Sequence, residues 1–576
     1  MVTLLPQSAL LSVVRRRLDR AAPPALVRHA RLLAQGQSPP QRLLHDARAS
    51  VARQLILPSL PPAAEGRTYV AVKTEGTSVP ALVVDTFRCD EVWGDQAARV
   101  ADAFVRHDVD HVFVSTDPHR RRVIAVPESQ RDHAVRALAA DLGASATQIA
   151  AVRGDELSRS RPLSARRPRL ADALRVFQVL ATRSGAFLSG AEMGCDVQFW
   201  REVGCEDELT ESGETLDRKT LVGERTFDPL PETVEPSSVV ERLVDRRPRP
   251  VAPELASPHL VQHDLPVDVV YTWVDGDDES WRARRDRALR ETDATLHDLA
   301  TNDSRYTSHD ELRYSMRSLE MYAPWVRRVF LVTDDQVPPW LNRANPRLDV
   351  VDHRDLFRDR GRLPTFNSHA IESQLHHIEG LSENFLYLND DIFFGRPVDP
   401  ALFVLANGLS QIFFSSVKVG SGPLTAGDLP ITSAAKNNRD VLQAEFGRTT
   451  LHKFQHAPYS LRRSVLHELE ALLPEEMEVT ASATFRSPSD LSVAASLGLA
   501  YGYLVGCSVP GTLRYLYADI ARPDTPHRLA ELLARRDRDV FCLNDHDSSA
   551  LDTHSQSTLV QGFLESYFPL PSSFER

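Results

Sequence analysis

Asn384-Phe-Leu-Tyr-Leu-Asn-Asp-Asp-Ile-Phe-Phe-Gly395 decides the reading of this chain. Apolar side chains fall on both faces ahead of the acids, the pattern of a central strand in a sheet covered on both sides. Asp390 and Asp391 follow directly. Two carboxylates just past such a strand cost free energy unless they hold a cation or a ligand. Ligands of open α/β sheets collect at the carboxyl ends of strands. A divalent metal carrying a nucleotide diphosphate would sit here.

Strand and helix alternate around this stretch. Residues 267–274 read as a strand ending at Asp275-Gly276, 310–322 as a helix, and 328–333 as a strand ending at Asp334-Asp335. A short strand at 348–352 and a helix at 368–378 lead into the quoted strand, and 411–415 adds another. After residue 430 the pattern turns mostly helical, up to Phe568-Pro-Leu-Pro571. The alternation predicts an α/β fold for 264–576: a Rossmann-like, largely parallel sheet with a helical C-terminal part.

The N-terminal half has a different texture. Residues 1–60 are Arg-rich and helical in pattern; 61–152 read as a smaller α/β or α+β accessory domain; 153–263 read as a linker and accessory region. Arg246-Arg-Pro-Arg-Pro-Val-Ala-Pro253 reads as a boundary, because closely spaced prolines oppose helix and sheet alike. The 576 residues carry a formal net charge of −12, which argues against a nucleic-acid binder. Five cysteines without a C-x-x-C pair exclude a zinc ribbon and suit a reducing cytoplasm. No apolar run reaches the length of about 18 residues expected of a membrane span. The apolar start followed by Arg15-Arg16-Arg17 is compatible with peripheral contact at the inner face of a membrane, although its short apolar face favours an ordinary surface helix. The sequence carries no signal of oligomeric state.

Three strands of the second half end in acids: Asp275, Asp334-Asp335 and Asp390-Asp391. Asp275-Gly276 suits a turn as well as a ligand, and Asp334-Asp335 precedes a Pro-rich turn and reads as structural. Asp390-Asp391 reads as functional, able to hold Mg²⁺ or Mn²⁺ through hard oxygens. Glu372 and His376, four apart on the expected helix, would share a face as a hydrogen-bonding pair lining the site. His456, followed by Ala457-Pro458, stands near the expected helix at 461–472, where an anion can bind. Arg486 in Thr484-Phe-Arg-Ser-Pro488 is suited to grip phosphate oxygens. Finally, a short apolar strand delivers Asn544, Asp545, His546 and Asp547, either a polar turn or a second metal-capable group.

Together these motifs resemble the four signature regions of the Stealth family. Asp268-Val-Val-Tyr-Thr-Trp-Val-Asp-Gly276 is similar to the first. The second resembles Asp310-Glu-Leu-Arg-Tyr-Ser-Met-Arg-Ser-Leu319, Ala323-Pro-Trp325, Leu363-Pro-Thr-Phe366, Ala370-Ile-Glu-Ser373 and Tyr387-Leu-Asn-Asp-Asp391 with Phe394-Gly395. His456-Ala-Pro458 with Arg486 resembles the third, and Cys542-Leu-Asn-Asp545 with Phe568-Pro-Leu-Pro571 the fourth. Relatives often carry Asn-Gly where this chain has Asp334-Asp335.

The resemblance implies transfer of a hexose-1-phosphate, such as N-acetylglucosamine-1-phosphate, from a UDP-sugar to a saccharide or polysaccharide hydroxyl. UMP leaves and a phosphodiester remains, as in capsule or exopolysaccharide synthesis. Glu372, Asp391, His456 and Arg486 then match the family's active-site residues. Tyr271, Thr272, Trp273, Asp275 and Gly276, with Arg313 and Arg317, would hold the nucleotide sugar, and Asp391, Asp390 and Asp545 a Mg²⁺ or Mn²⁺ ion. Either His456 or Glu372 would serve as base. Two other readings compete: a metal-dependent glycosyltransferase that releases UDP, and a non-catalytic saccharide-binding protein.

Overall fold

The computed structural model describes residues 67–576 apart from 75–76, 155, 164–170, 204–219, 224–229, 293–305, 307, 426 and 545–552. The helical reading of residues 1–60, and Asp545 with its two neighbours, therefore lie outside the described residues. The chain divides into two compact units. One comprises residues 1–84, 144–146 and 179–189. Its described residues include a four-stranded sheet in the order Tyr69–Thr74, Thr77–Val83, Leu180–Ala181, Phe187–Ser189.

The second unit holds everything else and contains two sheets of consequence. In its accessory part, Val112–Ser115, Val123–Pro127, Thr147–Arg153, Ala173–Gln178, Cys195–Glu202 and Arg247–Val251 belong to a single mixed sheet. The helices Cys89–Arg106 and Arg131–Leu142 bury Ala97, Val100, Phe104, Leu138 and Leu142 in one core with this sheet. Across the boundary expected at 152/153, Thr147–Arg153 pairs antiparallel with Ala173–Gln178 over six residue pairs. The prolines of Arg247–Val251 do not prevent a strand. That segment pairs with Val240–Val244, while its ladder pairing with Val112–Ser115 is confined to Val251. Proline is tolerated in a strand where its missing N–H falls outside a ladder.

The strands framing the site are β1 (Val267–Thr272), β2 (Val329–Thr333), β3 (Leu348–Asp352), β4 (Asn384–Asn389), β5 (Ile392–Phe394), β6 (Tyr459–Arg462), β7 (Tyr515–Asp519) and β8 (Val540–Asn544). The main sheet runs β3-β2-β1-β4-β6; its first four strands are parallel and β6 is antiparallel. The expected parallel sheet is present. The expected helical C-terminal part is not purely helical, since β6 enters this sheet and β7 and β8 form a second, smaller one with β5. Strand order reverses between β1 and β4. The carboxyl ends of those two strands thus form the switch point where such sheets bind ligands.

β1 and β4 are apolar because both faces are covered: Val269, Val270, Phe385, Leu386 and Leu388 are fully buried. Asp268 is the exception within β1, and its buried carboxylate is fully engaged. Arg327 grips it through Nε at 2.8 Å and through a terminal nitrogen, and the Ser382 amide donates to it at 2.7 Å. The framing helices are α1 (Glu279–Glu291), α2 (Glu311–Tyr322), α3 (Ser368–Glu372), α4 (Arg463–Leu472) and α5 (Thr553–Tyr567). α3 is one turn long where a helix over 368–378 was expected. The chain breaks after Glu372 and re-forms a 3-10 turn at Leu375–His377.

Candidate active site

The Asp390-Asp391 turn lies where the chain leaves the main sheet for the smaller one. β4 ends at Asn389, and after the turn β5 pairs antiparallel with β8. The Leu543 amide donates to the Asp391 carbonyl at 3.0 Å, fixing the turn against β8. Gly395 closes the motif for a steric reason. A Cβ there would meet the Arg538 carbonyl oxygen at 2.5 Å.

Asp391 is the hub. Its Oδ2 accepts from Asn544 Nδ2 at 3.0 Å and from the Cys542 thiol at 3.3 Å. Its Oδ1 faces His456 Nε2 at 3.4 Å, an ion-pair distance without the alignment of a hydrogen bond. His456 is oriented by Tyr459, whose hydroxyl lies 2.9 Å from Nδ1, and by Tyr515, which donates to its carbonyl at 2.6 Å. The segment after His456 is β6, not a helix, so no helix N-terminus stands beside it. Burial tends to raise the Asp391 pKa, yet His456, Asn544 and Cys542 bring it below the usual carboxylate value. Burial tends to lower that of His456, and Asp391 outweighs it.

Asp390 sits differently. Burial and then the charge of Asp391 push its carboxyl up to about 7. Its field is also felt by Tyr271 and by buried Glu311 at the start of α2. The two acids are therefore not equivalent.

Glu372 ends α3 and is buried. One oxygen accepts from Tyr387 at 3.4 Å; the other, Oε2, is buried without a hydrogen-bond partner. Burial raises its pKa, while His369, Arg486 and His456 act in opposition, which places all three near it. The expected pairing with His376 is absent: His376 turns to Glu470 at 3.0 Å. Arg486 donates to Ser368 Oγ at 2.9 Å. Its loop is held on two sides. Phe485 stacks on Phe366 with centroids 5.4 Å apart, and the buried Asp490 carboxylate accepts from the Ser487 amide and Asn367 at 2.9 and 2.8 Å. Arg486 also lines a cavity of about 1160 Å³, together with Arg284, Arg362, Thr484 and Phe485. None of Asp391, His456 and Glu372 lines that cavity.

The expected donor-binding residues divide. Thr272 and Trp273 are half-buried at the end of β1, and Thr272 Oγ1 lies 3.1 Å from the Tyr387 hydroxyl. The Asp275 backbone is clasped by the Gln336 amide group at 3.0 and 2.9 Å. Gly276 is demanded by packing, since a Cβ would meet the Tyr306 carbonyl oxygen at 2.2 Å. Tyr271 is fully buried, and its hydroxyl lies 2.8 Å from Ser315 Oγ. Arg313 and Arg317 are likewise committed elsewhere. Both bind the carboxylate of Glu575 in the C-terminal tail, Arg317 through two nitrogens at 2.8 Å each. Residues missed in the sequence are Tyr387, Tyr459 and Cys542, hidden as apolar members of strands, and Asn389, whose Oδ1 is buried without a partner beside the acids. Asn544 belonged to a polar run already visible after β8.

Comparison with known proteins identifies the family. The four conserved regions of the Stealth protein match in order: region 1 at residues 265–293, region 2 at 305–412, region 3 at 455–501 and region 4 at 530–576. An exopolysaccharide phosphotransferase of Streptomyces coelicolor is 44% identical over 489 residues, covering 83% of this chain and 81% of its own. The exopolysaccharide phosphotransferase CpsY of Mycobacterium tuberculosis is 36% identical over 397 residues, 68% of this chain and 71% of its own. Among solved structures, the galactosyltransferase LgtC with donor and acceptor sugar analogues aligns at 11% identity and a TM-score of 0.27, over 53% of this chain and 96% of that one. The bifunctional glycosyltransferase WbbM aligns at 11% identity and 0.28, over 56% and 55%. The chain belongs to the Stealth family of phosphotransferases.

Proposed function

We propose that this enzyme transfers a hexose-1-phosphate, N-acetylglucosamine-1-phosphate being the leading candidate, from a UDP-sugar to a saccharide hydroxyl in exopolysaccharide or capsule synthesis. The observation that carries the reading is the convergence at one switch point of Asp391 and His456, with Glu372 and Arg486 close by. The acceptor oxygen attacks the β-phosphorus in line. A bond forms from that oxygen to phosphorus, the bridging oxygen to the α-phosphorus departs, and UMP leaves. Such a reaction asks mainly for positioning and charge neutralisation.

Glu372 is the base in this scheme: its free Oε2 takes the proton of the attacking hydroxyl, and burial has already raised its basicity. His456, held against Asp391, stabilises negative charge on the departing side. Arg486 clamps the transferring phosphoryl oxygens. Thr272, Trp273 and Asp275 border the nucleotide. The donor set suits a hard cation, because Asp391 Oδ1 and Asn389 Oδ1 are buried oxygens without hydrogen-bond partners and Asp390 adjoins them. Mg²⁺ or Mn²⁺ held there would neutralise the diphosphate.

Incubation with UDP-N-acetylglucosamine, other UDP-sugars and an oligosaccharide acceptor tests the reading. UMP and an acid-labile phosphodiester are the expected products. UDP and a glycoside would replace it with the glycosyltransferase reading, and binding without turnover with the saccharide-binding one.

A further inference from the structure

A second group of chemistry-bearing side chains stands apart from the active site. His376, His377, His467 and Glu470 each bring one ligand atom within 4.8 Å of the others. The first two come from the 3-10 turn Leu375–His377; the last two lie three apart on α4, on one face of the helix. Glu470 reaches His376 Nε2 and His377 Nε2 at 3.0 Å each, and His467 Nδ1 is 4.0 Å from it. The rings crowd together, with centroids 4.1, 4.6 and 5.1 Å apart. His376 is fully buried, whereas the His467 side chain is 42% exposed, which leaves an entry path. Arg463, one turn before His467, donates to the His376 carbonyl at 2.9 Å and fixes the helix against the turn.

We propose that these four residues form a tetrahedral Zn²⁺-class site that ties α4 to the turn leading into β4. Three imidazoles and one carboxylate are a borderline-soft donor set suited to Zn²⁺, not the oxygen cage that Mg²⁺ or Ca²⁺ requires. Four protein ligands complete a tetrahedron, so the site is structural. The site precedes the amino end of β4, while Asp391 follows its carboxyl end. The six residues of β4 separate the two by about 20 Å of strand. The cation is thus distinct from any held by Asp391.

Full-length protein stripped with a chelator and reloaded with Zn²⁺ or Co²⁺ provides the test. The expected result is a tetrahedral Co²⁺ absorption spectrum and a rise in melting temperature with Zn²⁺. His467→Gln and Glu470→Gln should each weaken Zn²⁺ binding at least tenfold and remove that spectrum, while Asp391→Asn leaves both unchanged. Exposed His467 makes the first variant decisive even if Glu470→Gln folds poorly. Undiminished binding in His467→Gln, or loss of the spectrum in Asp391→Asn, would overturn the assignment and leave the cluster a hydrogen-bonded one.

Discussion

Asp390 and Asp391 are adjacent in sequence, but their surroundings drive them in opposite directions. Asp391 is stabilised as a carboxylate by His456, Asn544 and Cys542 against the effect of burial, whereas Asp390 is pushed up to about 7 by burial and by Asp391. Asp391→Ala should lower turnover by about 10³-fold or more with the melting temperature and circular dichroism nearly unchanged, on the scale of losing a preorganised charge in an active site. Asp390→Asn should cost less, since that group already lies near its neutral form; equal losses would contradict the unequal roles. Glu372→Gln should cut kcat by about 10²–10⁴-fold. It should also make the protein more stable at pH 7. A carboxyl whose folded pKa is raised takes up protons on folding, so its contribution to stability falls as pH rises through that range. Thermal melts of wild type and variant at pH 4 and 7 check the sign. Asp390 and Asp391 stood out as candidates because carboxylates after an apolar strand need a reason to be there. The burial of Tyr271 and the engagement of Arg313 and Arg317 with Glu575 were not legible, because membership of a motif does not tell which way a side chain points.

At the scale of elements, the C-terminal tail is latched by charge. Glu575 is buried and accepts from Arg317, Arg313 and the Ser572 amide, and these partners outweigh burial to hold its carboxyl at about 2. A folded pKa below the unfolded value contributes stability that is present above about pH 4.3 and lost as pH falls towards 2. Two pKa units correspond to roughly 3 kcal/mol. Glu575→Gln should therefore lose about 2–3 kcal/mol in urea unfolding at pH 7, and the difference from wild type should shrink below pH 4. An unchanged difference at low pH would mean that packing, not charge, latches the tail. No pattern in the sequence announced this latch, because it joins residues 258 apart. The break of the helix expected over 368–378 was hidden for a related reason. Its residues suit a helix locally, but His376 and His377 both turn to Glu470, and the tighter 3-10 turn carries His376 off the face of Glu372.

Across the molecule, the segment after residue 152 reads as a linker in sequence, yet strands pair across it. That reading followed composition, and a basic, Pro- and Ser-containing segment looks like a linker wherever it falls. Non-local pairing overrode it, as Thr147–Arg153 and Ala173–Gln178 are neighbours in one sheet. The hydrophobic cores tell a different story. The buried members of one are drawn wholly from residues 97–251 and those of another wholly from 270–501. Between them lies an exposed stretch in which Leu260 is 93% exposed. Among the described residues, the links across it include the Arg120–Asp399 pair at 2.6 Å and an edge contact of Phe87 on Tyr322. A half-exposed ion pair contributes about 1 kcal/mol or less, and one aromatic pair about as much. A fragment starting at 264 should therefore fold by itself, melt cooperatively and retain Asp391-dependent turnover. Chains cut at 152/153 should give two insoluble pieces, because the cut separates paired strands. If the 264–576 fragment fails to fold while the 152/153 pieces are soluble, the two cores depend on one another after all.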